Sequence, residues 1–214
     1  MKPTIIIGAR ADGHGKVVLE ILKAGAKYEV VGFADDDNSK TGETIKGVKV
    51  LGGTSRLAYY KEKLGVECAI VAIGNNQLRR ELSERIIASG LELVNAIHPT
   101  VCLDPDVIIG RGCYLGQGVI IVTGTKVGDC VNIHTGTTID HDNIIKDGAN
   151  LGPGVHTAGR VSIGRDAFLG TGAVVIPDGE VGDGSIIGAG AVVINKIPPG
   201  VTAVGVPARI IRKN

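Results

Sequence analysis

The chain has 214 residues, enough for one large domain or two small ones with a buried core. It carries 33 Gly and no Trp and is only 3% aromatic, yet it is 43% hydrophobic, so its core must be built from Val, Ile, Leu and Ala. A formal net charge of +1 gives no general attraction to nucleic acid or to a membrane surface, and no apolar run approaches the roughly 18–20 residues of a membrane-spanning helix. The apolar stretch Ile5-Ile6-Ile7 is too short for a signal-peptide core. Cys68, Cys102, Cys113 and Cys130 show no CxxC spacing and read as small hydrophobes. A cytoplasmic protein is the expectation.

Residues 1–96 read as strands alternating with helices. Strands are predicted over 4–8, 29–34, 48–51, 67–73 and 91–96, and helices over 16–24, 55–64 and 77–89. That alternation implies a Rossmann-like parallel sheet with crossover helices. Ligands of such sheets sit beyond the carboxyl ends of the strands. The loops carrying Gly13, Asp35 and Gly74 lie there. A dinucleotide site is disfavoured, because Gly8, Gly13 and Gly15 do not meet the GxGxxG spacing.

From residue 97 to 214 the period changes. Every sixth residue from Ile109 to Val193 is aliphatic, fourteen positions out of fifteen, and only Thr157 departs. Two residues before most of these the side chain is small or β-branched, as at Cys113, Val119, Thr125, Thr137, Ala149 and Ala167. Gly follows directly at 110, 116, 128, 152, 164, 170, 182 and 188, where it is expected to permit a tight turn. A six-residue period is neither helical nor a plain alternation. It predicts an all-β left-handed parallel β-helix of hexapeptide repeats, with the aliphatic side chains filling the corners of a triangular prism. The phase is unbroken from 109 to 193, so no long loop interrupts the coils. Pro198-Pro199-Gly200 ends them, and the basic tail with Arg209, Arg212 and Lys213 follows, facing either a phosphate or solvent.

Residues off the inward phase face outward. His141 stands between Asp140 and Asp142, and a flanking carboxylate can orient an imidazole and raise its basicity, which suits a general base. His134 and His156 also point outward. The three histidines are seven and fifteen residues apart, so the HxxxxH pair of the zinc-binding γ-type carbonic anhydrases is missing and no metal is expected. No Ser or Cys forms an activated constellation with His141, so nucleophilic catalysis is unsupported.

The whole chain resembles the sugar O-/N-acyltransferases that include the bacillosamine and perosamine N-acetyltransferases and the sialic acid O-acetyltransferases. The matching segments are Ile5-Ile6-Ile7-Gly8 with Gly13-His14-Gly15-Lys16, Phe33-Ala34-Asp35-Asp36, Val71-Ala72-Ile73-Gly74-Asn75-Asn76, Ile97-His98-Pro99, Ile139-Asp140-His141-Asp142 and Gly205-Val206-Pro207-Ala208. The resemblance implies that His141 is the base and Asp142 its acidic partner. It implies nucleotide-sugar contacts at Asp12, Gly13, His14, Asp35 and Asp36, with Gly74, Asn75 and His134 grouped as further substrate contacts. Acetyl-CoA would be met by Asn150, Gly159, Thr171 and Ala189, with Arg209 added from the tail. A homotrimer with active sites between subunits is also implied. The function this predicts is acetyl transfer from acetyl-CoA to the amine of a UDP- or GDP-linked 4-amino-4,6-dideoxysugar. Transfer to a sugar or serine-like hydroxyl, and a non-catalytic scaffold, are the alternatives.

Overall fold

The computed structural model describes residues 1–8 and 13–214. It divides into two compact units, Met1–Pro99 and Thr100–Asn214.

In the first unit a parallel sheet is laid down by β1 (Lys2–Ile7), β2 (Tyr28–Ala34), β5 (Cys68–Val71) and β6 (Glu92–Leu93), in the order β2-β1-β5-β6. Helices α1 (His14–Gly25), α2 (Leu57–Leu64) and α3 (Asn76–Ala88) connect them. Ile5, Ile6, Ile7, Ile70 and Val71 are fully buried, as strands covered on both faces require. Because the chain steps from β1 to β2 on one side and to β5 on the other, a crevice opens at the carboxyl ends of β1 and β5.

Two sequence expectations are corrected here. The strand over 48–51 is present as β4 (Val48–Lys49), but as one arm of an antiparallel hairpin whose other arm, β3 (Thr44–Ile45), was not expected. Its two turn residues, Lys46 and Gly47, have φ of 47° and 85°, the left-handed pair a tight hairpin turn needs. The strand over 91–96 breaks into β6, which joins the sheet, and β7 (Ala96–Ile97), which does not.

The second unit is a parallel β-solenoid whose coils pair 18 residues apart, for example Ile120 with Thr138 and Lys126 with Ile144. Its first face stacks Tyr114–Leu115, Asn132–Ile133, Asn150–Leu151, Phe168–Leu169 and Ile186–Ile187; the second runs from Cys102–Leu103 to Val192–Val193, and the third from Ile108–Ile109 to Glu180–Val181. The aliphatic column is buried from Leu115 to Val193, and only Leu103 and Ile109 in the first coil are partly exposed: Leu115, Ile133, Ile139, Leu151, Ile163 and Leu169 are inaccessible. Fully burying each such side chain is worth about 1.5–3 kcal/mol.

These aliphatic side chains sit on the short strands of the flat sides rather than at the corners. At the corners, every sixth backbone from residue 112 to 190 is left-handed, at Gly112, Gly118, Gly124, Cys130, Gly136, Asp142 and onward. The glycines directly after the aliphatic positions therefore serve close packing instead of the turn. A Cβ on Gly170 would stand 2.6 Å from Ala189 N of the next coil. Among the described residues no helix is long and apolar enough to cross a membrane.

Candidate active site

The crevice at the ends of β1 and β5 is a real cavity, of about 580 Å³, lined by Ile7, Gly8, Gly13, His14, Asp35 and Asp36, and by Ala72, Gly74, Asn75, Leu78 and Leu82. Every predicted nucleotide-sugar position outside the solenoid lies here, save Asp12, which is outside the described residues. Gly8 and Gly15 make the fit tight. The φ of Gly8 is 107° and a Cβ there would reach Ala72 O at 2.9 Å.

The acidic residues are held by their own neighbours. Asp36 accepts from Thr54 N at 2.6 Å and Thr54 Oγ1 at 2.9 Å. Asp35 accepts from Asp37 N at 3.0 Å and pairs with Lys40 Nζ at 3.1 Å. The Asn75 side chain caps α3 by accepting from Leu78 N at 2.9 Å. Lys40 and Thr54 line the cavity as well and were not singled out in the sequence, where each looks like an ordinary surface residue.

In the solenoid, His141 stands in the corner turn between the second and third faces. Its Nδ1 lies 2.8 Å from Asp142 Oδ2, and since a carboxylate only accepts, Nδ1 donates and Nε2 is left with its lone pair. The imidazole is 41% exposed. Its backbone N donates to Asp140 Oδ1 at 2.7 Å, and its carbonyl accepts from Arg160 N at 2.9 Å. Gly159, one coil further, is where the ring rests, since a Cβ there would overlap Nε2.

One coil beyond Asp142, Arg160 forms a two-bond pair with Asp178, Nε to Oδ1 at 2.7 Å and Nη2 to Oδ2 at 2.9 Å. The Arg160 hydrogen bonds hold the Asp178 carboxyl below its ordinary value. On the second face His156 Nδ1 meets Thr138 Oγ1 at 2.7 Å.

The remaining predicted residues fall into place around that same face. Thr171 and Ala189 stack one coil apart on the edge between the first and second faces, and His134 sits on this edge too, its ring 5.1 Å from that of Tyr114. His141, Asp142 and Gly159 form the opposite edge. Asn150 lies on the first face and is 4% exposed, and Arg209 is exposed beyond the last coil. The structure thus gathers six predicted residues along the two borders of one face and leaves Asn150 and Arg209 apart from them. Asn143, directly after the dyad, is fully buried. Its polar character at an inward position was a usable signal that the hexapeptide reading passed over.

Residues 4–86 match the family model described as the PglD N-terminal domain. A perosamine N-acetyltransferase from Caulobacter crescentus, solved with CoA and GDP-perosamine as a variant with one histidine changed to asparagine, superimposes with a TM-score of 0.92 and 39% identity, covering 100% of this chain and 98% of that one. The chain belongs to the hexapeptide-repeat sugar N-acetyltransferases. A second family member, the acetyltransferase domain of PglB from Neisseria gonorrhoeae in complex with acetyl coenzyme A, matches with 33% identity and a TM-score of 0.88, over 98% of this chain and 99% of that one. The UDP-N-acetylbacillosamine N-acetyltransferase of Bacillus subtilis is 35% identical over 114 residues, 52% of this chain. The chain spans about half the length of this curated relative, 50%.

Proposed function

We propose that the protein transfers the acetyl group of acetyl-CoA to the 4-amino group of a nucleotide-linked 4-amino-4,6-dideoxysugar, with GDP as the favoured nucleotide. The observation that carries the reading is the His141–Asp142 pair, whose Nε2 stays open beside a bare glycine.

Acetyl-CoA is a substrate here, and the residues suit it. The missing side chain at Gly159 lets the imidazole lie against the next coil, and the face between His141 and Thr171 gives the thioester a track. In the reaction, His141 Nε2 takes a proton from the sugar amine as its nitrogen bonds to the acetyl carbon. The carbon–sulfur bond then breaks, and the same proton passes to the departing thiolate. Asp142 stabilises the imidazolium in between, and such acid–base catalysis is worth roughly 10²–10⁴ in rate.

One observation favours GDP: the relative at 39% identity is complexed with GDP-perosamine. In the crevice, Asp35 and Lys40 set an acceptor beside a donor, which suits the N1–H and O6 edge of guanine and equally the N3–H and O4 edge of uracil.

A homotrimer with each active site between neighbouring solenoids belongs to this proposal. Its support is apolar surface on a single chain's coils, with Ile108, Ile120, Ile144 and Phe168 all exposed.

The test of the acceptor is CoA release from acetyl-CoA with GDP- and UDP-linked 4-amino-4,6-dideoxysugars and their 4-hydroxy counterparts. Turnover on a GDP-linked amine, with the hydroxyl compounds inert, is expected. Turnover confined to hydroxyl acceptors overturns the reading.

A further inference from the structure

We infer that Asn143 is the positioning residue of the His141–Asp142 pair, an inference that rests on reading His141 as the base. Asn143 occupies the inward position that is filled by Val131, Thr137, Ala149, Val155 and Val161 in neighbouring turns. It is 0% exposed.

Its Nδ2 lies 2.7 Å from Asp140 O, 3.1 Å from His141 O and 2.9 Å from Ala158 O, so two N–H hydrogens are shared among three carbonyls. Its Oδ1, also buried, has no hydrogen-bond partner among the described residues. A buried amide with an orphaned oxygen is unfavourable beside the apolar side chains that serve at this depth elsewhere. Something other than packing keeps it there.

Comparison with the other polar inward residues isolates what that is. Thr125 Oγ1 donates to Asp140 O at 3.0 Å and Thr137 Oγ1 to Gly152 O at 3.0 Å, each fifteen residues ahead. Asn143 makes the same bond to Ala158 O. The bonds to Asp140 O and His141 O are additional, lie within its own turn, and grip the peptide groups on either side of His141. Thr125 Oγ1 completes the clamp by accepting from Asn143 N at 3.2 Å.

This matters because the Nδ1–Oδ2 bond joins adjacent residues, whose side chains ordinarily diverge. Asp142 has a φ of 58°, the left-handed form shared by the other corner residues, and what Asn143 adds at this corner is a hold on the two peptide groups that flank His141.

Asn143→Thr is the decisive variant, since Thr keeps the bond to the next coil, as Thr125 and Thr137 do, and gives up those to its own turn. Asn143→Ala loses all three. Both are expected to lower kcat between about tenfold and a hundredfold, with KM for both substrates within about twofold. Asn143→Thr should keep the wild-type melting temperature.

A second readout does not depend on turnover. The ring-nitrogen NMR spectrum of His141, assigned by its loss in His141→Ala, should show the proton on Nδ1 in wild type and a shift toward Nε2 in the variants. Wild-type kcat and an Nδ1 proton in Asn143→Thr overturn the inference. So does lost activity that comes with lost stability while the ring is unchanged. If wild type transfers no acetyl group yet the tautomer moves, the acetyltransferase reading falls and the positioning role stands.

Discussion

Asp178 shows how the dyad's surroundings are tuned one residue at a time. Its carboxyl is held below the ordinary 3.8 first by the Arg160 hydrogen bond. Asp106 is likewise held down, first by Gly124 N and then by the Thr123 hydroxyl. A carboxyl with a lowered value in the folded chain binds its proton more tightly when unfolded. Its contribution to stability is therefore present above 3.8 and is lost as pH falls through the folded value. Melting temperature followed from about pH 5 to about pH 2 should drop in wild type and drop less steeply in Asp178→Asn. An unchanged profile in that variant would mean the Arg160–Asp178 pair does not couple to folding. Burial, the largest influence, pushes the Cys68 thiol up to about 11, which fits its reading as a hydrophobe, whereas Cys102 is exposed.

At the scale of the element, the six-residue period made the solenoid legible because each inward side chain is repeated where the next coil stacks on it. His141 and Asp142 were legible as well, since they break a pattern that is otherwise regular. The role of the glycines was not. Periodicity shows that Gly recurs, but only backbone geometry separates a left-handed corner from a crowded strand end. Gly170 and Gly172 divide these roles within one turn. Gly172 has a φ of +69° and open space for 4 Å around the point a Cβ would occupy, whereas a Cβ on Gly170 meets backbone of the next coil. Gly172→Ala should cost about 1 kcal/mol and Gly170→Ala about 3 kcal/mol, measured by thermal unfolding. Equal costs would contradict the assignment. The β3–β4 hairpin escaped sequence reading for a related reason, because Lys46 carries no turn signature until its positive φ is seen. Asn143 stands on the inward phase two residues before Ile145, and its neighbours Asp140, His141 and Asp142 drew attention to the surface instead.

Across the whole molecule, the chain's exposed aliphatic side chains and its family predict self-association. Light scattering should give three times the 22.0 kDa of one chain, and a monomer at micromolar concentration would remove the proposed active sites between subunits. Sequence alone placed the crevice and the dyad in separate halves, and those positions rest on different physics. The crevice follows from strand order, which any alternating pattern of this kind implies. The dyad follows from a His set directly before an Asp at a left-handed corner, whereas the corner residues Asp166 and Asp178 have no such neighbour. Asn150, by contrast, was taken from resemblance alone, and Arg209 from the charge of the tail, and neither had such a pattern behind it.

The most direct test is the initial rate of CoA release from acetyl-CoA and a GDP-linked 4-amino-4,6-dideoxysugar, for wild type beside His141→Ala, with CoA binding measured for both. The account predicts steady turnover in wild type, a loss on the order of a hundredfold or more in the variant, and unchanged CoA affinity. A His141→Ala protein as fast as wild type would contradict it.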